Sequence, residues 1–343
     1  MHWLTESIIA VSKEDGRMKA FVFRIKRRMA MTSSNFKSDC HFSLYYAILR
    51  IIDDLGSRFH LKRITNIAHA RKDKWILSYL KRNLENTIHK YRKCNDTGVA
   101  NKDSNIWVCW WTGEETAPDL VKRCITSIRR NAGSHPVIFI DKNTYSSYID
   151  IPDYMMKKVE DGTMGLAHLS DYIRISLLEK HGGLWLDSTI FCARNLPEDY
   201  FNLPFFTCKS NPTECGYVSQ MQWATFVLGG WKGNIFYQFM KEAFEVYWSK
   251  ESVAIDYLFF DYLIELARCE IPAILTQMES VPINNLQRDE LQAAMNKNLS
   301  AGCWNEVIKE DNVLYKLSWR ECYRVKTDNG EDSIYKFFLE YQS

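Results

Sequence analysis

Residues 168–191 read HLSDYIRISLLEKHGGLWLDSTIF, and no other stretch restricts the fold as much. A helical run ends at Gly182-Gly183, and the apolar run Leu184-Trp185-Leu186 then ends on Asp187. A carboxylate at the end of a buried strand faces the crevice where open α/β sheets bind ligands. Asp171 and Arg174 stand three residues apart and share one helix face. Arginine presents a planar fork to phosphate or carboxylate. Asp171 can accept hydroxyl hydrogen bonds, as from a ribose. Asp187 offers oxygen ligands to a hard divalent cation, Mn²⁺ or Mg²⁺. Together these parts suit a metal-bridged nucleotide diphosphate.

Charge is divided along the chain. The net value is +2, yet residues 1–100 hold 20 Lys+Arg against 9 Asp+Glu, leaving 24 against 33 in residues 101–343. A basic arm on an acidic body points to an anionic surface, whether membrane, polyanion or nucleic acid. A solvated helical face accounts for it equally well. The arm reads as helical: Ser43–Phe59 and Trp75–Tyr91 carry apolar residues at helical spacing. Phe21–Met31 (FVFRIKRRMAM) is short, basic and apolar, as an interfacial helix or a plain docking helix would be. The cysteines are scattered without a C-x-x-C pair, which argues against a zinc knuckle and fits reduced thiols in a cytoplasmic protein. The N-terminus shows no secretory apolar region, and no run approaches the ~18–20 apolar residues of a spanning helix.

From Ile106 the rhythm changes to strand–helix–strand. Ile106–Trp111 (IWVCWW) reads as a buried strand, Leu120–Asn131 as an amphipathic helix and Pro136–Ile140 as a second strand. This is a βαβ unit, which implies a parallel sheet. Further strands are expected at Pro204–Thr207 and Trp223–Leu228, a turn at Gly229-Gly230, and helices over Asn234–Trp248 and Ile255–Ala267. The polar stretch Asn95–Asn105 marks the boundary between a basic helical extension (1–100) and an α/β domain (101–343).

Several nucleotide-site motifs are absent. The turn after the first strand, TGEETAPDL, has one glycine where a Rossmann dehydrogenase needs G-x-G-x-x-G. Neither a P-loop nor a G-x-S-x-G elbow occurs. Elimination favours a nucleotide-sugar site, in which a carboxylate–metal pair replaces the glycine loop. SDYIRISLLEKHGGLWLD resembles the S-D-x-x-R-x-x-x-L-x-x-x-G-G-x-[YW]-x-D signature of DXD-type sugar transferases of the GT-A fold. That group includes yeast α-mannosyltransferases and the glucosylating clostridial toxins. Trp185 and the ending Asp187-Ser188-Thr189 more closely resemble the bacterial capsular polysaccharide synthesis transferases, with similarity from about Ile106 to Trp319.

The resemblance implies a GT-A-type, Rossmann-like nucleotide-sugar domain and a retaining glycosyltransferase of capsule or surface polysaccharide synthesis. Ser170, Asp171 and Arg174 would contact a UDP-linked donor, and Gly183 is grouped with them. Asp187 would take the first acidic position of the DXD and hold Mn²⁺ or Mg²⁺, directly or through water. Thr189 departs from the pattern, standing where the second acid is usual. Lys316 would clamp the β-phosphate, with Ser318 and Trp319 folding over it. Trp110 and Trp111 end the first strand, where a uracil ring or sugar can stack; alternation along a strand would send one of the two into the core. Asp256 and Asp261, five apart on one expected helix, are acceptor candidates, though a helix cap explains Asp256 as well. His168 suits a phosphate contact or a helix start. The acceptor would be a glycan or lipid-linked glycan, reached by a cytoplasmic enzyme in peripheral contact with an anionic inner membrane. The rival reading is a non-catalytic nucleotide- or sugar-binding protein whose DXD has decayed. Nucleic-acid binding through the basic arm is the least favoured.

Overall fold

The computed structural model describes residues 36–100, 104–212, 218–299 and 303–340. The chain forms two compact units, Met1–Ser78 and Tyr79–Ser343, and the division falls inside the helix Lys62–Asn83. The basic segment Phe21–Met31 lies outside the described residues.

In the first unit the helix expected over Ser43–Phe59 runs from Leu44 to Arg58. It starts where it does because the Ser43 hydroxyl accepts a hydrogen bond from the Tyr45 N–H at 3.1 Å, satisfying an otherwise orphan donor. The Tyr46 ring is fully buried and stacks on Trp75 with centroids 4.7 Å apart. Asp53 is bracketed by His69 at 3.2 Å and Lys72 at 3.0 Å.

The second unit takes up the rest of the helical run expected as Trp75–Tyr91. Leu84 interrupts that run, and a short helix Glu85–Tyr91 follows. Its Tyr91 hydroxyl donates to Glu242 at 3.0 Å, and Lys90 pairs with the same carboxylate. Beyond it, Asp96 accepts from the Ile235 N–H at 3.0 Å and Val99 makes a β-bridge with Lys232.

A five-stranded mixed sheet forms the centre of this unit, built from β1 (Ile106–Cys109), β2 (Val137–Ile140), β3 (Gly183–Leu186), β5 (Phe205–Thr207) and β6 (Val227–Gly230). Their order across the sheet is β2-β1-β3-β6-β5. β1 pairs in parallel with β2 and with β3, which is the expected βαβ arrangement around the helix Asp119–Arg130. β3–β6 and β6–β5 are antiparallel. All four residues of β3 are buried, as a central strand covered on both faces requires. A second, two-stranded sheet pairs β4 (Ile190–Cys192) with β7 (Leu314–Lys316), Ile190 opposite Lys316. The architecture is mixed α/β, and it is compatible with a Rossmann-like fold.

Three expectations are corrected. β1 stops at Cys109, so Trp110 and Trp111 lie past the strand, and alternation does not send one of them into the core. Trp107 fills that role, fully buried with its indole N–H on the Gly182 carbonyl at 2.9 Å. Gly229-Gly230 is not a turn but the end of β6, paired with Leu184 and Gly183 on one side and Phe206 and Phe205 on the other. A Cβ on Gly230 would lie 2.5 Å from the Pro204 carbonyl oxygen, so the close strand approach demands glycine there. The helix expected from Ile255 begins at Phe259, because the Asp256 side chain accepts from the Leu258 N–H at 2.9 Å and holds a turn first. No helix among the described residues is long and apolar enough to cross a membrane.

Candidate functional site

The C-terminal ends of β1 and β3 open onto a cavity of about 650 Å³. The helix Leu166–His181 forms one wall, presenting Ser170, Asp171 and Arg174. Gly182 caps that helix, its N–H reaching the Leu178 carbonyl at 2.9 Å, and reverses the chain with φ +69°. The following strand delivers Asp187 to the cavity. Lys316 arrives from the opposite side because β7 pairs with β4, which starts three residues after Asp187.

The four charged groups form a continuous chain. Arg174 donates one Nη to Asp171 at 2.5 Å and the other to Asp187 Oδ1 at 3.0 Å. The Trp185 indole N–H adds a bond to the same oxygen at 2.9 Å. Lys316 Nζ reaches Asp187 Oδ2 at 3.0 Å and the Thr189 hydroxyl at 2.6 Å. The Arg174 guanidinium lies against Trp185 and Phe260, 4.9 and 5.5 Å from their ring centres. It is 4% exposed, so its charge depends on the two carboxylates. Burial alone would raise the Asp187 pKa. The Lys316 and Arg174 charges and the Trp185 bond outweigh that, holding the carboxyl well below the usual carboxylate range. Asp187 is therefore ionised at neutral pH.

At the cavity mouth the rings of Trp110 and Trp319 meet edge to face, with centroids 5.7 Å apart. Trp319 is 43% exposed, leaving ring surface for a planar ligand. Arg320 lies 5.4 Å over the Trp319 ring and also lines the cavity.

Residues 57–338 match the model of the capsular polysaccharide synthesis protein family, well over half of the chain. The chain belongs to that family. It is also similar to two fungal proteins over part of its length. It is 28% identical over 161 residues to the O-glycosyltransferase braB of Annulohypoxylon truncatum, covering 43% of this chain and 38% of that protein. It is 23% identical over 137 residues to the O-glycosyltransferase PaGT of Phomopsis amygdali, covering 35% of this chain and 34% of that protein. The chain thus spans little more than a third of the curated relatives it matches.

Set against that family membership, the expected site residues divide into two groups. Trp110, Ser170, Asp171, Arg174, Asp187, Lys316, Ser318, Trp319 and Asp261 all line one cavity, as does Trp111. Gly183, Asp256 and His168 are not among its lining residues. Gly183 sits at the far end of β3, where a Cβ would lie 2.2 Å from the Asn105 carbonyl oxygen. Asp256 holds its turn. His168 is buried between Trp248 and Phe259. Sequence reading missed Arg320, Tyr257 and Phe226. Arg320 and Tyr257 adjoin residues it did name, and the Asp-Tyr pairing at 256–257 was a usable signal. Phe226 has no such signal: its carbonyl accepts the Asp187 N–H at 2.9 Å and its ring lies 5.1 Å from Lys316 Nζ.

The expected divalent cation fits this donor set poorly. Both Asp187 oxygens already face cations, and Thr189 supplies no second carboxylate. No group of three or more His, Cys, Asp or Glu among the described residues is arranged to hold a metal ion.

Proposed function

We propose that this chain is a glycosyltransferase that moves a sugar from a nucleoside diphosphate, UDP in the first instance, to a glycan or lipid-linked glycan acceptor. The observation that carries the reading is the Asp171–Arg174–Asp187–Lys316 chain, set beneath two tryptophans at the ends of parallel strands. This is the crevice where open α/β sheets bind nucleotides. Family membership and the partial similarity to O-glycosyltransferases support it. A GT-A arrangement, retention of anomeric configuration and a role in capsule or surface polysaccharide synthesis complete the reading.

In this reading the base stacks on Trp110 and Trp319, and Asp171 accepts from the ribose hydroxyls. Arg174 acts through its neighbours, fixing both carboxylates in place. The bond between the anomeric carbon and the β-phosphate oxygen breaks, and its electron pair stays on that oxygen. The acceptor hydroxyl oxygen bonds to the anomeric carbon, and its proton passes to the departing phosphate. Charge grows on the β-phosphate as the bond breaks, so a fixed cation beside it lowers the barrier.

Calorimetric titration with UDP and GDP tests this. Wild-type protein should bind UDP, and Trp319→Ala should weaken binding ~10-fold or more, the scale of one lost base–aromatic stack. Trp319 is preferred to Arg174 for this experiment because removing the buried Arg174 takes the guanidinium partner from Asp171 and threatens the fold. Unchanged affinity in Trp319→Ala rejects the placement of the base.

A further inference from the structure

We propose that Lys316 occupies the place of the divalent cation, so that donor binding in this chain requires no metal. The inference rests on the nucleotide-sugar reading above. The resemblance to D-x-D transferases would put acids at the first and third positions of the motif, the third to ligate a cation. Here those positions are Asp187 and Thr189, and the Lys316 ammonium bonds both, at 3.0 and 2.6 Å. With threonine in place of the second acid, the Lys316 ammonium supplies positive charge between the two side chains. A divalent ion between two carboxylates is neutral overall. Lys316 with Asp187, and Arg174 with Asp171, are neutral as well, so the local balance is kept without the ion.

Geometry sets the same limit. The other oxygen of Asp187 accepts from Arg174 and Trp185, at 3.0 and 2.9 Å. An incoming ion would have to displace Lys316 and then sit beside two cations with a single carboxylate for support. Lysine carries three N–H donors. Asp187 and Thr189 take two, leaving one for an anionic oxygen of the donor. The backbone backs the arrangement: the Leu317 N–H bonds the Thr189 carbonyl at 3.0 Å and the Lys316 N–H bonds the Arg288 carbonyl at 2.8 Å. The ammonium is thus delivered by two paired strands rather than by a flexible tail. Arg320, four residues on and lining the same cavity, adds a second cation for the diphosphate.

The test has two readouts independent of turnover. The first is electron paramagnetic resonance of Mn²⁺, which reports free against bound ion. The second is UDP affinity by calorimetry, in EDTA and in excess Mn²⁺. Full-length wild-type protein should leave Mn²⁺ free and bind UDP equally well, within about twofold, in both solutions. Lys316→Ala should lose about tenfold or more in UDP affinity, the scale of a lost hydrogen bond between charged groups. Thr189→Asp, which supplies the missing acid, should gain Mn²⁺ binding when combined with Lys316→Ala. UDP binding by wild-type protein that falls tenfold or more in EDTA overturns the inference and leaves the nucleotide-sugar reading standing. Failure to bind UDP or GDP in either solution overturns both.

Discussion

At the scale of single residues, the site is a balance of charges in a partly dry pocket, and Asp261 is the member out of balance. Burial pushes its carboxyl up to about 6; the Trp223 bond opposes this and the Asp171 and Asp256 charges add to it. Trp223 Nε1 donates to it at 2.8 Å, and the carboxyl lines the cavity. The folded protein therefore binds this proton more tightly than the unfolded chain, whose carboxyl titrates near 3.8. Its contribution is favourable below pH ~4 and is lost as pH rises through ~6, at a ceiling of roughly 3 kcal/mol. Asp261→Asn, which keeps an acceptor for Trp223, should raise the thermal midpoint by a few degrees at pH 7.5 and leave it unchanged at pH 4. A lower midpoint at pH 7.5 would mean that the ionised carboxylate stabilises the fold. Asp187 behaves oppositely: its depressed pKa makes the ionised form the stabilising one above pH ~4.

At the scale of elements, the junction between the motif helix and β3 fixes where Asp187 stands. Gly183 has φ +97°, and an added Cβ would lie 2.2 Å from the Asn105 carbonyl oxygen. Gly133 also has positive φ, +62°, but a Cβ there meets nothing within 4 Å. Gly183→Ala should cost at least ~3 kcal/mol in urea unfolding, and Gly133→Ala only ~1 kcal/mol. Equal costs would show that the strand can move away from Asn105. This junction was legible because helix, glycine stop and apolar strand are local patterns. The shared face of Asp171 and Arg174 followed from helical spacing in the same way. The ends of elements were less legible: side-chain hydrogen bonds such as the Asp256 turn delay a helix, and periodicity does not register them. Non-local pairing was invisible. Nothing near Lys316 records that β7 lies against β4, and only the resemblance to sugar transferases singled that lysine out. The glycines of β6 were misread because Gly-Gly is also turn chemistry, and the obstructing Pro204 carbonyl is distant in sequence.

At the scale of the whole molecule, the charge asymmetry sets an expectation for where the protein works. Residues 1–100 carry the basic excess, and Leu44, Ile48, Ile52 and Leu55 recur at helical spacing on the helix Leu44–Arg58 with exposed side chains. Each Lys or Arg near an anionic leaflet contributes ~1 kcal/mol, and the attraction is screened within ~10 Å at 0.1 M salt. Full-length protein should sediment with anionic vesicles at low salt, release as salt rises, and lose most of this binding when residues 1–35 are removed. Protein that ignores such vesicles at low salt would make the arm a packing or oligomer element. The central claim concerns chemistry, and a donor screen reaches it most directly: release of nucleoside diphosphate from UDP- and GDP-sugars by wild-type protein and by Asp187→Asn. Turnover of at least one nucleotide sugar by the wild type is expected, reduced at least ~10²-fold in the variant, because Asp187 fixes the Lys316 ammonium that faces the departing phosphate and losing a preorganised stabiliser is worth that much. Absence of turnover with every donor, or equal turnover by both proteins, would contradict it.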